Sequence, residues 1–437
     1  MQSDWKVVTL EEVTSKLGDG LHGTPKYDDN GEYYFINGNN IGNGKINITP
    51  NTKKVSHEEF LKHRKDLTDR TIFVSINGTL GNVGLYNNEK ICLGKSACYF
   101  NVKEGVSKEY IKYIMSSSIF QNYINIYATG TTIKNMGLKA MRSFSFNIPP
   151  LVTQKKIAHI LSTLDEKIEL NSKMNQTLES MAQALFKSWF VDFDPVHARA
   201  TCKSEADLEA AATKLGISKE ILELFPSEFV ESEMGMIPLG WEAKELGTLT
   251  NITSSKRIFS KEYVDSGIPF YRSKEIINLS KGDSITDILY ISEDRFSEIK
   301  EKFAVPKAQD ILITSVGTIG RIYLVPDDSS FYFKDGNLTW INDYKNISPV
   351  FIYYFLKSAS AQRQIDSVLI GSTQKALTIV NINRLSVMMA SKDVLDEFTI
   401  QAESIFAKIS KNTEQTRILE KTRDTLLPKL LSGEVKV

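Results

Sequence analysis

Asp327, followed by Asp343, Tyr344 and Lys345, is the set of side chains whose types and spacing come nearest to metal-dependent chemistry. A first carboxylate and then Asp-x-Lys is the loose pattern of a Mg²⁺ nuclease, in which two carboxylates hold the ion and the lysine offsets charge on the attacked phosphate. The pattern is short enough to arise by chance in a chain of 437 residues. Asp327-Asp328-Ser329-Ser330 also reads as a hairpin turn, and the matching place earlier in the chain holds Asn87-Asn88. A self-sufficient Mg²⁺-dependent nuclease is therefore the weaker alternative. Gly78-Thr79-Leu80-Gly81-Asn82-Val83-Gly84 resembles a phosphate loop but lacks the Gly-Lys-Ser/Thr ending, and its twin at 317–320 has Tyr323 where the last glycine would stand. A tight turn between strands fits better.

The five histidines form no ligand or triad spacing, and no Asn/Asp-Pro-Pro-aromatic run of a methyltransferase occurs. Asp165-Glu166-Lys167 reads as a solvated helix face. Cys92, Cys98 and Cys202 are an odd set without zinc spacing, which suits reduced packing thiols. No catalytic residue, metal site or bound cofactor is expected. What remains is recognition. Loops that combine basic or amide side chains with small residues are Lys26, Asn37, Asn39, Thr131, Thr132 and Lys134, and later Arg257, Arg272, Lys274, Arg321, Thr373, Gln374 and Lys375. Amides and guanidinium groups read base edges, while lysines and hydroxyls hold phosphates.

The elements that carry these loops are duplicated. Ile157, Leu161, Leu164, Ile168, Asn171, Leu178 and Leu185 follow a heptad seam within Thr153 to Phe190, with Asn175 and Ala182 completing it. Such a helix spans roughly 55 Å and needs a partner to cover its stripe. At an offset of 241 the seam returns as Phe398, Ile405, Ile409, Asn412, Leu419 and Leu426, with Asn412 matching Asn171. The repeat extends upstream: Trp5 and Leu10 match Trp241 and Leu246, Gly78 to Gly81 match Gly317 to Gly320, and Gly130 to Lys134 match Gly371 to Lys375. The expected class is α+β: two tandem α/β recognition domains, separated by two long helices paired as an antiparallel intramolecular coiled coil. The expected boundaries are a first domain at 1–150, a central helix at 151–195 and a connector at 196–238, followed by a second domain at 239–392 and a C-terminal helix at 393–437. Pro428 is expected to bend or end the last helix, and Gly433 to finish it.

Lysine plus arginine and aspartate plus glutamate both number 53, so the net charge is zero. A free-standing DNA-binding protein is usually basic. Neutrality permits DNA binding only if basic groups cluster locally and partners share the phosphate contacts. Apolar content of 41% without a long apolar run, together with an N-terminus that lacks a leader pattern, points to a cytoplasmic protein with no membrane partner.

Further motifs are Pro150-Leu151 with Gln154, Leu164-Asp165, and Phe190-Val191-Asp192-Phe193-Asp194-Pro195. Leu224-Phe225-Pro226, Ile237-Pro238, Gly240-Trp241 and the ending Arg423 to Gly433 join them. Taken together they resemble the DNA-specificity (S) subunits of Type I restriction-modification systems over the whole chain. Asp393 to Glu403 departs by lacking the Pro-Pro-Leu entry found at 149–151. The resemblance implies a non-catalytic subunit that reads a bipartite site in double-stranded DNA. It also implies docking of two methyltransferase subunits and of restriction-translocase subunits. S-adenosylmethionine, ATP and Mg²⁺ would then belong to those partners. A specificity subunit of a related multi-subunit restriction-modification system is the other form of this expectation. A coiled-coil homodimer that regulates DNA is disfavoured, because one chain already supplies both helices.

Overall fold

The computed structural model describes residues 4–130, 133–232, 235–283, 285–371 and 375–437. The chain divides into two compact units, Met1–Glu169 with Ile418–Val437, and Leu170–Arg417.

In the first unit a four-stranded antiparallel sheet has the order Thr14–Asp19, Ala97–Val102, Thr71–Ser75, Val83–Leu85. Its two central strands are buried at every position, so both faces are covered. Side chains alternate across a strand. Ile72, Val74, Cys98 and Phe100 accordingly face helices Lys108–Ser116 and Ser118–Tyr127. Phe73, Ala97 and Tyr99 face the smaller sheet built on Tyr33–Ile36, which runs parallel to Ile91–Leu93. Burial pushes the Cys92 thiol up to about 11 and Cys98 higher still, so both are inert packing groups.

The second unit repeats this plan. Its four-stranded sheet runs Asn251–Thr253, Leu338–Asn342, Ile311–Thr314, Ile322–Leu324, and Ile268–Tyr271 pairs parallel with Tyr332–Phe333. The first strand of each copy pairs with the strand that leads into its long helix: Lys6–Thr9 with Ser145–Ile148, and Glu242–Glu245 with Ser386–Met389. Lys108–Ser116 and Ser118–Tyr127 are two helices rather than one, because Ser117 is extended and its hydroxyl donates to the Ile114 carbonyl. Ser358, also extended, breaks Pro349–Lys357 from Ala359–Ser367, its N–H on the Phe355 carbonyl and its hydroxyl accepting from Ala361 N at 3.1 Å.

The central helix is Leu151–Phe190 and the C-terminal helix is Lys392–Ser432. Gln154 anchors the first: its side chain accepts from Ser107 N at 2.9 Å and donates to the Pro149 carbonyl at 2.8 Å. Pro428 lies inside the second helix and does not end it. A proline inside a helix costs about 3 kcal/mol through its missing hydrogen bond and ring clash, and burial of Leu430 and Leu431 offsets it. Gly433, in the left-handed region, closes the helix with its N–H on the Leu430 carbonyl.

The helices are antiparallel within each unit. In the first, Ile157 and Leu161 share a core with Leu430 and Leu431; in the second, Ala182, Phe186 and Phe190 share one with Phe398 and Ala402. Every expected seam residue is buried or half-buried: Ile157, Leu161, Leu164, Ile168, Asn171, Leu178, Leu185, Phe398, Ile405, Ile409, Asn412, Leu419 and Leu426. Inside the second unit Asn171 donates to the Asn412 carbonyl at 3.4 Å and to Gln415 at 3.0 Å, while Asn412 donates to Asn175 at 2.9 Å. A buried amide cluster of this kind selects one register.

Asp165, expected on a solvated face, is a half-buried hub in the first unit. It accepts from Lys112 and Tyr113 at 2.7 Å each and from Arg423 at 3.0 Å. Burial alone would raise its carboxyl, but Lys112, Tyr113 and Arg423 hold it below the usual carboxylate range. In the second unit Lys357 pairs with Glu179 at 2.5 Å and donates to Tyr353 at 2.9 Å.

Two outcomes follow from these seams. Asn412→Leu should lower unfolding free energy by about 1–2 kcal/mol in urea titrations, through the acceptor it leaves on Asn175. The double variant Asn175→Leu/Asn412→Leu should be no less stable than that single one, because it removes the stranded acceptor along with its donor. Asp165→Asn should cost about 1–3 kcal/mol at neutral pH. A carboxyl depressed on folding contributes stability above its unfolded value and loses it as pH falls through the folded one. The difference between wild type and Asp165→Asn should therefore shrink below the usual carboxylate range.

Candidate nucleic-acid interface

In both units loops distant in sequence meet at one end of the four-stranded sheet. The first is the tight turn after the third strand of that sheet. Gly78 and Gly81 in one unit, and Gly317 and Gly320 in the other, adopt positive φ, the conformation that lets the chain reverse there. The second loop is closed at its base by antiparallel bridges, Thr129 with Asn135 and Ile370 with Ala376. The two loops are stitched together by Asn77 with Asn135 and by Val316 with Ala376. Gly78 N also donates to the Lys134 carbonyl at 3.2 Å, and Leu377 N to the Ser315 carbonyl at 2.9 Å.

A third segment differs between the copies. In the first unit it is the turn Gly38–Asn40, where Gly38 N donates to Ser96 at 2.9 Å and a Cβ at Gly38 would lie 3.1 Å from that of Ser75. The hairpin Ile41–Gly42 with Lys45–Ile46 follows and crosses Gly84, where an added Cβ would lie 2.8 Å from the Lys45 carbonyl oxygen. That close approach explains the third glycine of the first motif. The second unit places helix Ser273–Leu279 in this segment and carries Tyr323 at the matching strand position.

The expected contact residues separate by how they are held. Asn39, Lys134, Lys274, Arg321 and Lys375 are exposed, and no ion pair involves these cations among the described residues. Lys26 is exposed beside helix His57–His63, its N–H on Glu59 at 3.0 Å. Asn37 is spent within the fold, accepting from the Ser96 hydroxyl at 3.0 Å. Arg257 pairs with Asp335 at 2.7 Å. Arg272 forks onto Glu275 at 2.6 and 3.2 Å. Glu275 is fully buried; burial would raise its carboxyl, yet the guanidinium and backbone donors hold it below the usual range. Thr131, Thr132, Thr373 and Gln374 lie outside the described residues.

The nuclease pattern is not assembled as a metal centre. Asp327 accepts from Ser329 N at 2.8 Å, as a turn residue does, and Asp343 is a left-handed turn residue. Lys345 is exposed, its N–H on the Leu249 carbonyl. No group of three His, Cys, Asp or Glu suited to a metal occurs among the described residues. No described helix is long and apolar enough to cross a membrane.

A scaffold duplicated down to its stitched loops, each copy leading into a long helix, defines a two-domain, two-helix class of protein. A family model, the Type I restriction modification DNA specificity domain, matches residues 2–180 and again 238–425. The chain is 30% identical over 366 residues to the Type I restriction enzyme HindI specificity subunit of Haemophilus influenzae, covering 76% of this chain and 78% of that one. It is 28% identical over 424 residues to the Type I restriction enzyme MjaIX specificity subunit of Methanocaldococcus jannaschii, covering 95% and 86%. The crystal structure of the Type-I restriction-modification system S subunit from M. genitalium shares the fold, with a TM-score of 0.57 at 19% identity over 98% of this chain and 96% of that one. The chain belongs to the family of Type I restriction-modification DNA-specificity subunits, which are non-catalytic.

The two kinds of basic residue should separate in a stability assay. Arg272→Ala strands Glu275 without its cation and should cost about 1–3 kcal/mol by thermal or urea unfolding. Lys274→Ala should stay within about 0.5 kcal/mol of wild type.

Proposed function

We propose that this chain selects the DNA site of a Type I restriction-modification complex by reading a bipartite duplex sequence, one half with each unit. The observation that carries this is the duplicated meeting of the Gly78–Gly81 turn with the Lys134 loop and of the Gly317–Gly320 turn with the Lys375 loop. Each meeting sets the glycines of a tight turn beside a loop with an exposed lysine, so a phosphate backbone could approach closely. Divergence of the third segment, a hairpin in one copy and a helix in the other, gives the two halves different sequence preferences. With no net charge, the chain would rely on partners for part of its phosphate contact.

The paired helices would dock the methyltransferase subunits, two of them, and the restriction-translocase subunits would join the same complex. S-adenosylmethionine would be held by the former; ATP and Mg²⁺ would serve the latter, and the chain itself would bind no cofactor. Methyl transfer to a flipped base is then the partners' chemistry. The complex would act in the cytoplasm, where the DNA is.

Lys134→Ala and Lys375→Ala should each weaken binding about equally on all sequences and reduce the slope of log affinity against log salt by about one. Methylome sequencing of cells with and without this chain should show loss of one split motif. Retention of every modified motif after deletion would remove the proposal.

A further inference from the structure

Arg321 and Asn82 occupy the same backbone socket in the two units, immediately after the tight turn. In the first unit Ser75 and Asn82 exchange backbone hydrogen bonds: Ser75 N donates to the Asn82 carbonyl, and Asn82 N donates to the Ser75 hydroxyl, each at 2.9 Å. In the second, Thr314 N donates to the Arg321 carbonyl at 3.0 Å and Arg321 N to the Thr314 hydroxyl at 2.9 Å. Gly81 N and Gly320 N close the turns on the Ser75 and Thr314 carbonyls, both at 2.9 Å. Thr314 is fully buried and its hydroxyl also donates to the Thr318 carbonyl at 2.6 Å. The socket is therefore rigid in both copies, and it adjoins the loop that ends in Lys134 or Lys375. The hydroxyl is kept, from Ser75 to Thr314, while the occupant changes from an amide to a guanidinium.

Of the three arginines in the second unit's contact loops, Arg257 and Arg272 are committed to Asp335 and Glu275. Arg321 is exposed, and no hydrogen bond or ion pair engages its guanidinium among the described residues. A planar fork on a fixed backbone, beside a phosphate-holding lysine, is suited to the two acceptors that guanine presents in the major groove. The amide of Asn82, half-buried in the equivalent socket, is suited to the acceptor and donor of adenine.

The geometry points to a specificity-determining pair: Arg321 reads a guanine in the half-site of the second unit, and Asn82 reads an adenine at the equivalent position of the other half-site. This rests on the proposed bipartite recognition. The test uses the full chain with its methyltransferase subunits. Modified motifs are mapped and duplex binding measured for wild type, Arg321→Ala, Arg321→Lys and Asn82→Ala, with thermal unfolding to confirm folding. Arg321→Ala and Arg321→Lys should both lose about ten- to a hundredfold preference for guanine at one position, with the other half-site unchanged. Asn82→Ala should do the reverse, relaxing one adenine. If Arg321→Ala weakens all sequences equally, or Arg321→Lys keeps full guanine preference, Arg321 is a phosphate contact and the assignment is overturned. Wild type with no split motif at all would instead overturn the bipartite reading on which it rests.

Discussion

Each unit of this protein is completed by the far end of a helix that begins or ends elsewhere in the sequence. The first is closed by Leu430 and Leu431, more than two hundred residues after its sheet, and the second by Phe186 and Phe190, which precede its own strands. An amphipathic helix is stable only when its stripe is covered. The antiparallel order within each unit supplies that cover at both ends. The first unit therefore could not be cut out as one contiguous segment without opening an apolar face, whereas the second, Leu170–Arg417, is contiguous.

The seam carries polarity as well as burial. Asn171, Asn175 and Asn412 satisfy one another inside the second unit, and Asp165 collects Lys112, Tyr113 and Arg423 inside the first. Buried polar groups are tolerated only when partnered, so each cluster is compatible with few helix registers. The charge clusters also tie Lys108–Ser116 and Pro349–Lys357 to the long helices. Recognition domain and spacer are thus joined by ion pairs in addition to apolar packing.

Function follows from what this frame leaves exposed. Two loops per unit are stitched at their bases to one end of a sheet whose central strands are wholly buried. Duplication conserves the frame, while the segment at Gly38–Asn40 in one copy and Ser273–Leu279 in the other has diverged into different structures. A constant scaffold with one diverged segment suits a protein whose task is DNA specificity rather than catalysis.

Much of this organisation was legible from residue order alone. The heptad period marks the long helices, the offset of 241 pairs Asn171 with Asn412, and the Gly turns mark strand ends. These signals are local or periodic, and a period survives without knowledge of the neighbours. Gly84 illustrates the opposite case: its need for a bare Cα comes from the Lys45 carbonyl crossing it, which no spacing reveals. Asp165 looked solvated because its neighbours Glu166 and Lys167 are charged, and only packing delivers Lys112 and Arg423 to it. Arg272 and Arg321 are equivalent as residue types; a buried Glu275 claims the first and nothing claims the second among the described residues. The chain by itself determined the repeat, the helices and the kinds of side chain available. Tertiary structure decided which of those side chains are spent inside the fold and which are left to meet a partner, because that depends on distances between segments far apart in sequence.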